Sequence, residues 1–302
     1  MLMNGYKELL ERLPLSTIEY AFAYGSAAFQ QKGEDKEDKM VDFILSTNDP
    51  LLFHKENIKR NPSHYSLLRL IGAKALSNFQ TRFAARVYFN TRVKASSRRM
   101  KYGIITTEDL NRDLLDWQWL YVSGRLHKPV LDVNIFSIIS LLLLPDSFTL
   151  EELYEEIVAL SYSGDFRMCI GEDRNKVKKI VHGSMAELSD IYLPLLTNDS
   201  RIVVQNGNVT IYHRLNLLPS AVLSAVKKNW NKKNKLQKDT EEVLFLLAHR
   251  HDVSSHVLAA ISSIIAPVAI SQTVKNAVSA GFTRSVIYGV SKLSKMIRSL
   301  KR

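Results

Sequence analysis

Apolar residues in the first part of the chain form short runs and longer periodic stretches. Four short runs rich in aromatic and β-branched residues predict strands over residues 18–24, 40–45, 85–89 and 102–106. Helical spacing predicts helices over residues 66–79 and 107–120. The expected apolar face of the first helix consists of Leu67, Leu68, Leu70, Ile71 and Ala75. Alternating strands and helices predict a mixed α/β domain over residues 1–135.

The middle of the chain changes to longer helical patterns, which predict helices over residues 135–144, 149–160 and 175–192. Thr149 is placed to cap the second of them. Two β-branched runs, 202–205 and 209–212, flank the pair Asn206-Gly207, which is a strong hairpin signal. Three helices followed by a hairpin predict a winged-helix-like α+β domain, which we place at residues 136–228.

The remaining residues, 229–302, are expected to form a lysine-rich, solvated linker over 229–238 and then a helical tail. In residues 284–302, apolar residues recur at steps of four and three, and basic residues occupy the other faces. The chain from Val253 to Arg302 contains seven Lys and Arg and no Asp or Glu. This pattern is typical of a basic amphipathic helix on an anionic membrane, although a terminal helix docked on the protein stays possible.

The composition narrows the environment of the protein. A net charge of +11 indicates an anionic partner such as a nucleotide, a lipid headgroup or a nucleic acid. The single cysteine, Cys169, excludes a disulfide within the chain. We expect no membrane-spanning helix, because Pro267 interrupts the apolar run 257–270. We expect no signal peptide, because the first thirteen residues carry Glu8 and Glu11 and lack an apolar core.

Two features of the first domain could carry chemistry. Gly25 and Ser26 directly follow the first predicted strand, where backbone amides and a hydroxyl could bind phosphate oxygens. Asp42 lies inside an apolar strand, where an unsatisfied carboxylate is costly, so it is expected either to cap a neighbouring loop or to bind a magnesium ion. A Gly-Ser turn and a following strand aspartate match the nucleotidyltransferase pattern of the DNA polymerase β superfamily.

The pattern is incomplete. Nucleotidyltransferases of this superfamily usually carry two carboxylates two residues apart, whereas positions 40 and 44 here are Met and Ile. Other candidates for the remaining metal ligands are Asp38, Glu108, Asp109, Asp113 and Asp116. The eight histidines show no paired-ligand spacing, so zinc is not expected.

A series of longer motifs carries a more specific resemblance. The motifs are Phe22-Ala-Tyr-Gly-Ser, Met40-Val-Asp-Phe-Ile, His54-Lys-Glu-Asn, Ser63-His-Tyr-Ser, Lys101-Tyr-Gly-Ile-Ile, Asp113-Leu-Leu-Asp-Trp, Leu120-Tyr-Val-Ser-Gly-Arg-Leu-His-Lys-Pro-Val and Ser161-Tyr-Ser-Gly-Asp-Phe-Arg-Met. In this order they resemble the mitochondrial translocator assembly and maintenance proteins, the CDP-diacylglycerol synthases on the matrix side of the inner membrane. The resemblance implies that CTP and phosphatidic acid are joined into CDP-diacylglycerol and pyrophosphate, a step towards cardiolipin.

The resemblance, taken with the residue types, implies a magnesium-dependent site. We expect Asp42 and Lys101 to be catalytic, with Asp42 on the metal. Residues expected to bind CTP or phosphate are Gly25, Ser26, Lys55, Tyr65, Arg125, Lys128, Arg167 and Lys176. In the second domain, an internal ion-pair network among Asp165, Arg167, Glu172, Asp173 and Lys176 is the simpler interpretation.

Two alternative functions stay open at the level of the sequence. One is a nucleotidyltransferase that acts on RNA or a small molecule, and the other is a non-enzymatic winged-helix protein that binds nucleic acid. The second alternative is weakened because residues 203–212 contain no Lys or Arg. We therefore expect CTP, phosphatidic acid and an anionic membrane as partners, and no nucleic acid.

Overall fold

The structure is a computed structural model that describes residues 9–25, 40–94, 98–128, 140–144, 148–169, 172–173, 175–198, 207–235 and 237–281. The chain divides into two compact units. The first unit comprises residues 1–111, 130–133 and 270–302, and the second comprises 112–129 and 134–269. These boundaries differ from the predicted ones, because the segment from Ile270 onward joins the first unit.

A four-stranded sheet forms the centre of the first unit. Its strands are β1 (Tyr20–Tyr24), β2 (Val41–Thr47), β3 (Tyr88–Lys94) and β4 (Arg99–Thr106). The order across the sheet is β1-β2-β4-β3, with β2 and β4 parallel and the other pairs antiparallel. All four predicted strands are confirmed, although β3 begins at Tyr88 and extends beyond its predicted end.

Twelve helices occur in the described parts of the chain. They are α1 (Pro50–Arg60), α2 (Ala73–Arg82), α3 (Thr107–Leu115), α4 (Ser123–Leu126), α5 (Ser140–Leu143), α6 (Leu150–Leu160), α7 (Lys176–Gly183), α8 (Met185–Asn198), α9 (Asn208–Asn216), α10 (Ser220–Asn234), α11 (Thr240–Ala248) and α12 (Val253–Ala280). Short 3₁₀ helices lie at Leu15–Thr17, Pro62–His64, Leu67–Ile71 and Phe166–Met168. The predicted cap of α6 is confirmed, because Thr149 and Glu152 form a reciprocal capping box.

One face of the sheet packs against α1. Val41, Phe43 and Leu45 alternate along β2 towards this face and join Phe53 of α1 in a buried cluster. The residues between them, including Asp42, belong to the opposite face. The alternation of β2 therefore separates the apolar core of the first unit from the side of the sheet that carries the candidate chemistry.

The end of α12 is anchored to the turn between α2 and β3. Gln272 accepts a hydrogen bond from the Ala85 amide and donates one to the Val87 carbonyl. The buried ammonium of Lys275 donates to the carbonyls of Gln80 and Phe83, which lie at the C-terminal end of α2. Burial lowers the pKa of Lys275 to about 7. These contacts attach α12 to the first unit through polar groups.

The predicted helix over residues 66–79 is wrong in part. Gly72 has a φ of +86° and separates the 3₁₀ helix Leu67–Ile71 from α2. Leu67, Leu70 and Ile71 were expected to be buried, but 77%, 75% and 56% of their surfaces are exposed. The break rotates the 3₁₀ turn, so Leu67, Leu70 and Ile71 do not share the buried face of α2, whereas Leu68 packs against the cluster that contains Leu76.

The predicted hairpin is also wrong where the structure describes it. Val209–Tyr212 was expected to be a strand, yet it lies within α9. Ile211 packs against a core that contains the fully buried Leu215, and this spacing of four residues suits a helix. The first predicted strand, residues 202–205, lies outside the described residues. The hairpin was the main support for a winged-helix domain, and the second of its two predicted strands is helical. The winged-helix assignment stays a prediction.

Two further predictions about the second half of the chain need correction. Residues 229–234 were expected to be part of a linker, but they continue α10, and Trp230 lies in the core of the second unit. Pro267 lies inside α12 and does not end it. By length and composition alone, this 28-residue helix could cross a membrane, although 33% of its most apolar window is buried inside the protein.

Asp113 organises the segment that follows α3. Its buried carboxylate accepts hydrogen bonds from the amides of Trp119, Tyr121, Val122 and Ser123. Burial raises the pKa of Asp113, whereas the four amide donors oppose this shift. Asp113 was a candidate metal ligand, but its oxygens are already occupied by backbone donors. Its role is to hold the 119–123 turn.

We predict that Asp113→Ala lowers the free energy of unfolding by at least about 3 kcal/mol, because it leaves several buried amides without an acceptor. Urea denaturation measures the change. Asp116→Ala is the matched control, since Asp116 accepts one exposed hydrogen bond from the Ser220 hydroxyl. The control should cost less than about 1 kcal/mol. Equal costs for the two variants would contradict the assigned role of Asp113.

Candidate active site

The pairing of three strands places Tyr24, Asp42 and Lys101 side by side. Asp42 on β2 is opposite Tyr24 on β1 and opposite Lys101 on β4. Directly paired residues project from the same face of a sheet, so the three side chains meet. Lys101 Nζ lies 3.6 Å from Asp42 Oδ1 and 3.4 Å from the Tyr24 hydroxyl. The two residues predicted to be catalytic, Asp42 and Lys101, are therefore brought together.

The Asp42 carboxylate is incompletely satisfied. Its Oδ1 atom is buried and accepts no hydrogen bond from the described part of the chain. The Lys101 ammonium is close enough for ionic attraction but too far for a good hydrogen bond. A buried carboxylate oxygen without a donor is costly. This arrangement fits an oxygen ligand for a hard divalent cation such as Mg²⁺.

Gly25 lies beside the same carboxylate. It has a φ of +82°, a conformation that favours glycine, and a Cβ atom built on it would lie 3.7 Å from Asp42 Oδ2. The turn that was predicted to follow β1 therefore places a backbone segment without a side chain next to Asp42. Ser26, the other predicted residue of this turn, lies outside the described residues.

Two residues of this face were missed by the sequence analysis. The Lys101 ammonium lies 4.6 Å from the centre of the Phe89 ring, in a cation–π contact. Gly103 makes room for that ring, because a Cβ atom there would lie 2.5 Å from Phe89 Cε1. Phe89 and Gly103 are paired across β3 and β4, so only the strand register could have revealed their relation.

Tyr65 and Lys55 lie elsewhere in the first unit. The buried Tyr65 hydroxyl is hydrogen-bonded to Asn57 and to His54 Nδ1. Burial raises the pKa of Tyr65 and lowers the pKa of His54 to about 4, so both groups are neutral at pH 7. Asn57 also donates to the hydroxyl of Tyr102, which shares the buried face of the sheet with Val41 and Phe43.

Lys55 is exposed on α1, the helix that packs on that buried face. The structure therefore gives Tyr65 a place in a buried polar network. It brings neither Tyr65 nor Lys55 to Asp42 through any described contact.

None of the other candidate carboxylates joins Asp42 in the part of the chain that the structure describes. No group of three His, Cys, Asp or Glu residues that could hold a metal is found there. Asp109 pairs with Arg86 at 2.8 Å, and Asp113 and Asp116 are bonded as described above. Glu108 is exposed at the start of α3, and Asp38 lies outside the described residues.

The second unit contains a separate group of basic side chains, which we call the basic cluster: Arg125, Lys128 and Lys176. Lys128 Nζ donates to Ser161 Oγ at 3.1 Å and to the Tyr162 hydroxyl at 2.9 Å. Lys176 Nζ lies 5.1 Å from the centre of the same Tyr162 ring. The structure thus gathers three of the residues that were predicted to bind phosphate.

The electrostatics of the basic cluster favour an anion. Burial lowers the pKa of Lys128, and the nearby positive charges of Lys176 and Arg125 lower it further, although Tyr162 opposes the shift. Lys176 is partly neutralised by Glu172 at 2.7 Å, and Arg125 stacks on the Tyr121 ring. Cations held close together repel each other, and a bound phosphate relieves that repulsion.

Arg167 is held in an ion pair. Its guanidinium donates to both oxygens of the buried Asp165, with the shortest contact at 2.6 Å. Lys179 pairs with Asp173 in the same part of the second unit. The ion-pair network predicted as the simpler interpretation is therefore present, and it accounts for Arg167 without a ligand.

Comparisons with known proteins identify relatives over nearly the whole chain. A family described as mitochondrial phosphatidate cytidylyltransferase matches residues 6–295. The chain is 55% identical to the mitochondrial phosphatidate cytidylyltransferase of Caenorhabditis briggsae, over 98% of this chain and 100% of the relative. The proteins of the same name from Danio rerio and Mus musculus are 38% and 37% identical. The match to the Danio rerio protein covers 98% of this chain and 96% of the relative. The match to the Mus musculus protein covers 97% of this chain and 94% of the relative.

We predict that pyrophosphate binds the basic cluster and that Lys128→Met weakens this binding about tenfold or more, because a charge-assisted hydrogen bond is lost. Isothermal titration calorimetry measures the affinity. Lys179→Met removes the same charge from a more exposed site that is paired with Asp173, so it should change the affinity less than about twofold.

The same titration tests the electrostatic argument. A bound anion raises the lowered pKa of Lys128, so at alkaline pH the wild type should take up more protons on binding than Lys128→Met, in which only pyrophosphate changes its protonation. Proton uptake appears as a binding enthalpy that depends on the ionisation enthalpy of the buffer. Equal weakening by both variants would show general attraction to positive charge and no specific site.

Proposed function

This chain belongs to the family of mitochondrial phosphatidate cytidylyltransferases, and we propose that the Asp42–Lys101 face of its sheet is the catalytic centre. The enzyme transfers a cytidylyl group from CTP to phosphatidic acid, which yields CDP-diacylglycerol and pyrophosphate. The observation that best supports this centre is the buried Asp42 oxygen, which has no hydrogen-bond donor among the described residues while Lys101 and Gly25 lie beside it.

The chemistry requires no strong general base. The attacking group is the phosphate of phosphatidic acid, whose second pKa is about 6, so it is largely ionised at neutral pH. Catalysis then depends on holding two anionic substrates in line and on stabilising the charge of the leaving pyrophosphate. A carboxylate, a lysine and exposed backbone, as found around Asp42, suit this task.

We propose Mg²⁺ as the cofactor, held by Asp42. Mg²⁺ commonly binds one or two carboxylates, several waters and the phosphates of the substrate, so a single protein carboxylate is sufficient. When bound, it would neutralise charge on the phosphates of CTP. Asp38, another ligand candidate from the sequence, lies outside the described residues.

The neighbours of Asp42 would position the nucleotide. Lys101 supplies a positive charge next to the carboxylate, and its ammonium is held between the Tyr24 hydroxyl and the Phe89 ring. Gly25 leaves the backbone after β1 open for close approach of phosphate oxygens, and we propose that Ser26 adds a hydroxyl donor there.

The basic cluster is proposed to bind a substrate phosphate in its own unit. Lys128 is the central residue of this proposal, because it is anchored by Ser161 and Tyr162 and lies near two other cations. Family membership favours a lipid phosphate acceptor over the RNA or small-molecule acceptors that the sequence left open.

The relatives are named as mitochondrial, and the chain is a mitochondrial protein by family. We propose that it is a peripheral protein on the matrix side of the inner membrane, because phosphatidic acid stays in the bilayer. The basic helix expected at residues 284–302 would support this location. It lies outside the described residues and stays a prediction.

We predict that Asp42→Asn lowers kcat by about a hundredfold or more, because it removes a negative charge that helps hold the cation at the developing transition state. The assay follows labelled CTP into the lipid product with phosphatidic acid and Mg²⁺. Asp190→Asn is the matched control, since Asp190 is exposed on α8 and has no assigned role. Turnover near the wild-type rate in a folded Asp42→Asn protein would remove Asp42 from the centre.

A further inference from the structure

The first unit exposes large apolar residues on three segments that are joined by contacts. The 3₁₀ helix Leu67–Ile71 exposes Leu67 and Leu70 almost completely, at 77% and 75%. The outer face of α12 exposes Ile270, Val274 and Val278, which recur every four residues, at 53%, 60% and 46%. Phe83, at the end of α2, is 56% exposed.

Close contacts hold these segments at the same end of the unit. A Cβ atom built on Gly281, directly after α12, would lie 3.4 Å from the Ser66 side chain, which caps the 3₁₀ helix. Lys275, one residue after the exposed Val274, donates to the carbonyl of the exposed Phe83. We use the name apolar rim for the surface formed by five exposed residues: Leu67, Leu70, Phe83, Val274 and Val278.

The segments that form the apolar rim are rich in basic residues, and two exposed cations lie on α2. The sequence from Asn57 to Thr107 contains eleven Lys and Arg and no Asp or Glu. Lys74 and Arg82, at the two ends of α2, are exposed. The chain from Val253 to Arg302 also lacks acidic residues. Exposed apolar side chains with exposed cations on the adjoining helix, in segments that contain no acid, match the chemistry of an anionic bilayer surface.

The buried side of α12 determines how it could meet a bilayer. Gln272 and Lys275 are almost fully buried and bind backbone groups of the α2–β3 turn. A helix held in this way cannot leave the protein to cross the membrane without breaking those hydrogen bonds. Its outer face can still lie in the membrane interface.

We propose that the apolar rim is a membrane-docking surface, which inserts Leu67, Leu70 and the outer face of α12 into the interface of an anionic bilayer. This surface is distinct from residues 284–302. The proposal rests on the proposed function in one respect: the lipid substrate is in the bilayer, so the first unit must approach it.

The experiment compares two double variants that remove equally exposed apolar residues. Leu67→Ser/Leu70→Ser alters the rim, whereas Leu115→Ser/Val209→Ser removes side chains that are 76% and 84% exposed outside it. Cosedimentation uses phosphatidylcholine vesicles with and without phosphatidylglycerol, an anionic lipid that is not the substrate, and no CTP. The rim variant should bind the anionic vesicles about tenfold more weakly than the wild type, and the control variant should bind normally.

Turnover separates docking from catalysis. The rim variant should lose activity on long-chain phosphatidic acid in vesicles in parallel with binding, and should keep activity on a soluble short-chain phosphatidic acid. If the wild type turned over neither substrate, the proposed function would fail, while the vesicle-binding comparison would still decide the docking proposal.

Normal vesicle binding by the rim variant would overturn the proposal, and so would an equal loss in the control variant. If normal binding came with a lower melting temperature of the rim variant, another part of this chain would cover the rim. A Leu70→Trp variant gives an independent readout, because its fluorescence should shift to shorter wavelength with anionic vesicles, and an unchanged spectrum would also count against insertion.

Discussion

The register of the parallel strands β2 and β4 is the constraint on which the catalytic centre depends. It sets Asp42 opposite Lys101 on one face, while Phe43 and Tyr102 alternate onto the other face and join the core. A shift of one residue would bury the charges and expose the core, so core packing fixes the position of the carboxylate. Burial of the apolar residues on the other face stabilises the sheet, and this offsets the cost of a carboxylate that has no described hydrogen-bond donor. Asp42 is therefore held in position to bind a cation.

Both groups of candidate residues are charges that a phosphate or a cation would stabilise. In the first unit, a buried acceptor oxygen has no donor in the described part of the chain, and the nearest ammonium is 3.6 Å away. In the second unit, neighbouring positive charges lower the pKa of Lys128. In contrast, Arg167 and Asp113 already have their partners. For Asp42 the sign of a binding role is an acceptor without a described donor, whereas for Lys128, which donates to Ser161 and Tyr162, it is the repulsion from neighbouring cations.

The sequence could predict the parts of this structure that depend on local patterns. The four strands, the capped α6 and the importance of Asp42 follow from alternation, capping chemistry and a charge inside an apolar run. The hairpin failed because packing around Leu215 outweighs the strand preference of its β-branched neighbours. The contact of Phe89 with Lys101 depends on register, and the basic cluster joins residues far apart in the chain. Neither has a local signature.

Direct ligation of the metal by Asp42 is the central claim, and a change of metal preference tests it most directly. Asp42→Cys replaces the hard carboxylate with a thiolate, which binds softer cations in preference to Mg²⁺. The account predicts that the variant is nearly inactive with Mg²⁺ and regains part of its turnover with Mn²⁺ or Cd²⁺, beyond any effect of these ions on the wild type. Equal inactivity with all three cations, in a folded protein that still binds CTP, would contradict ligation by Asp42.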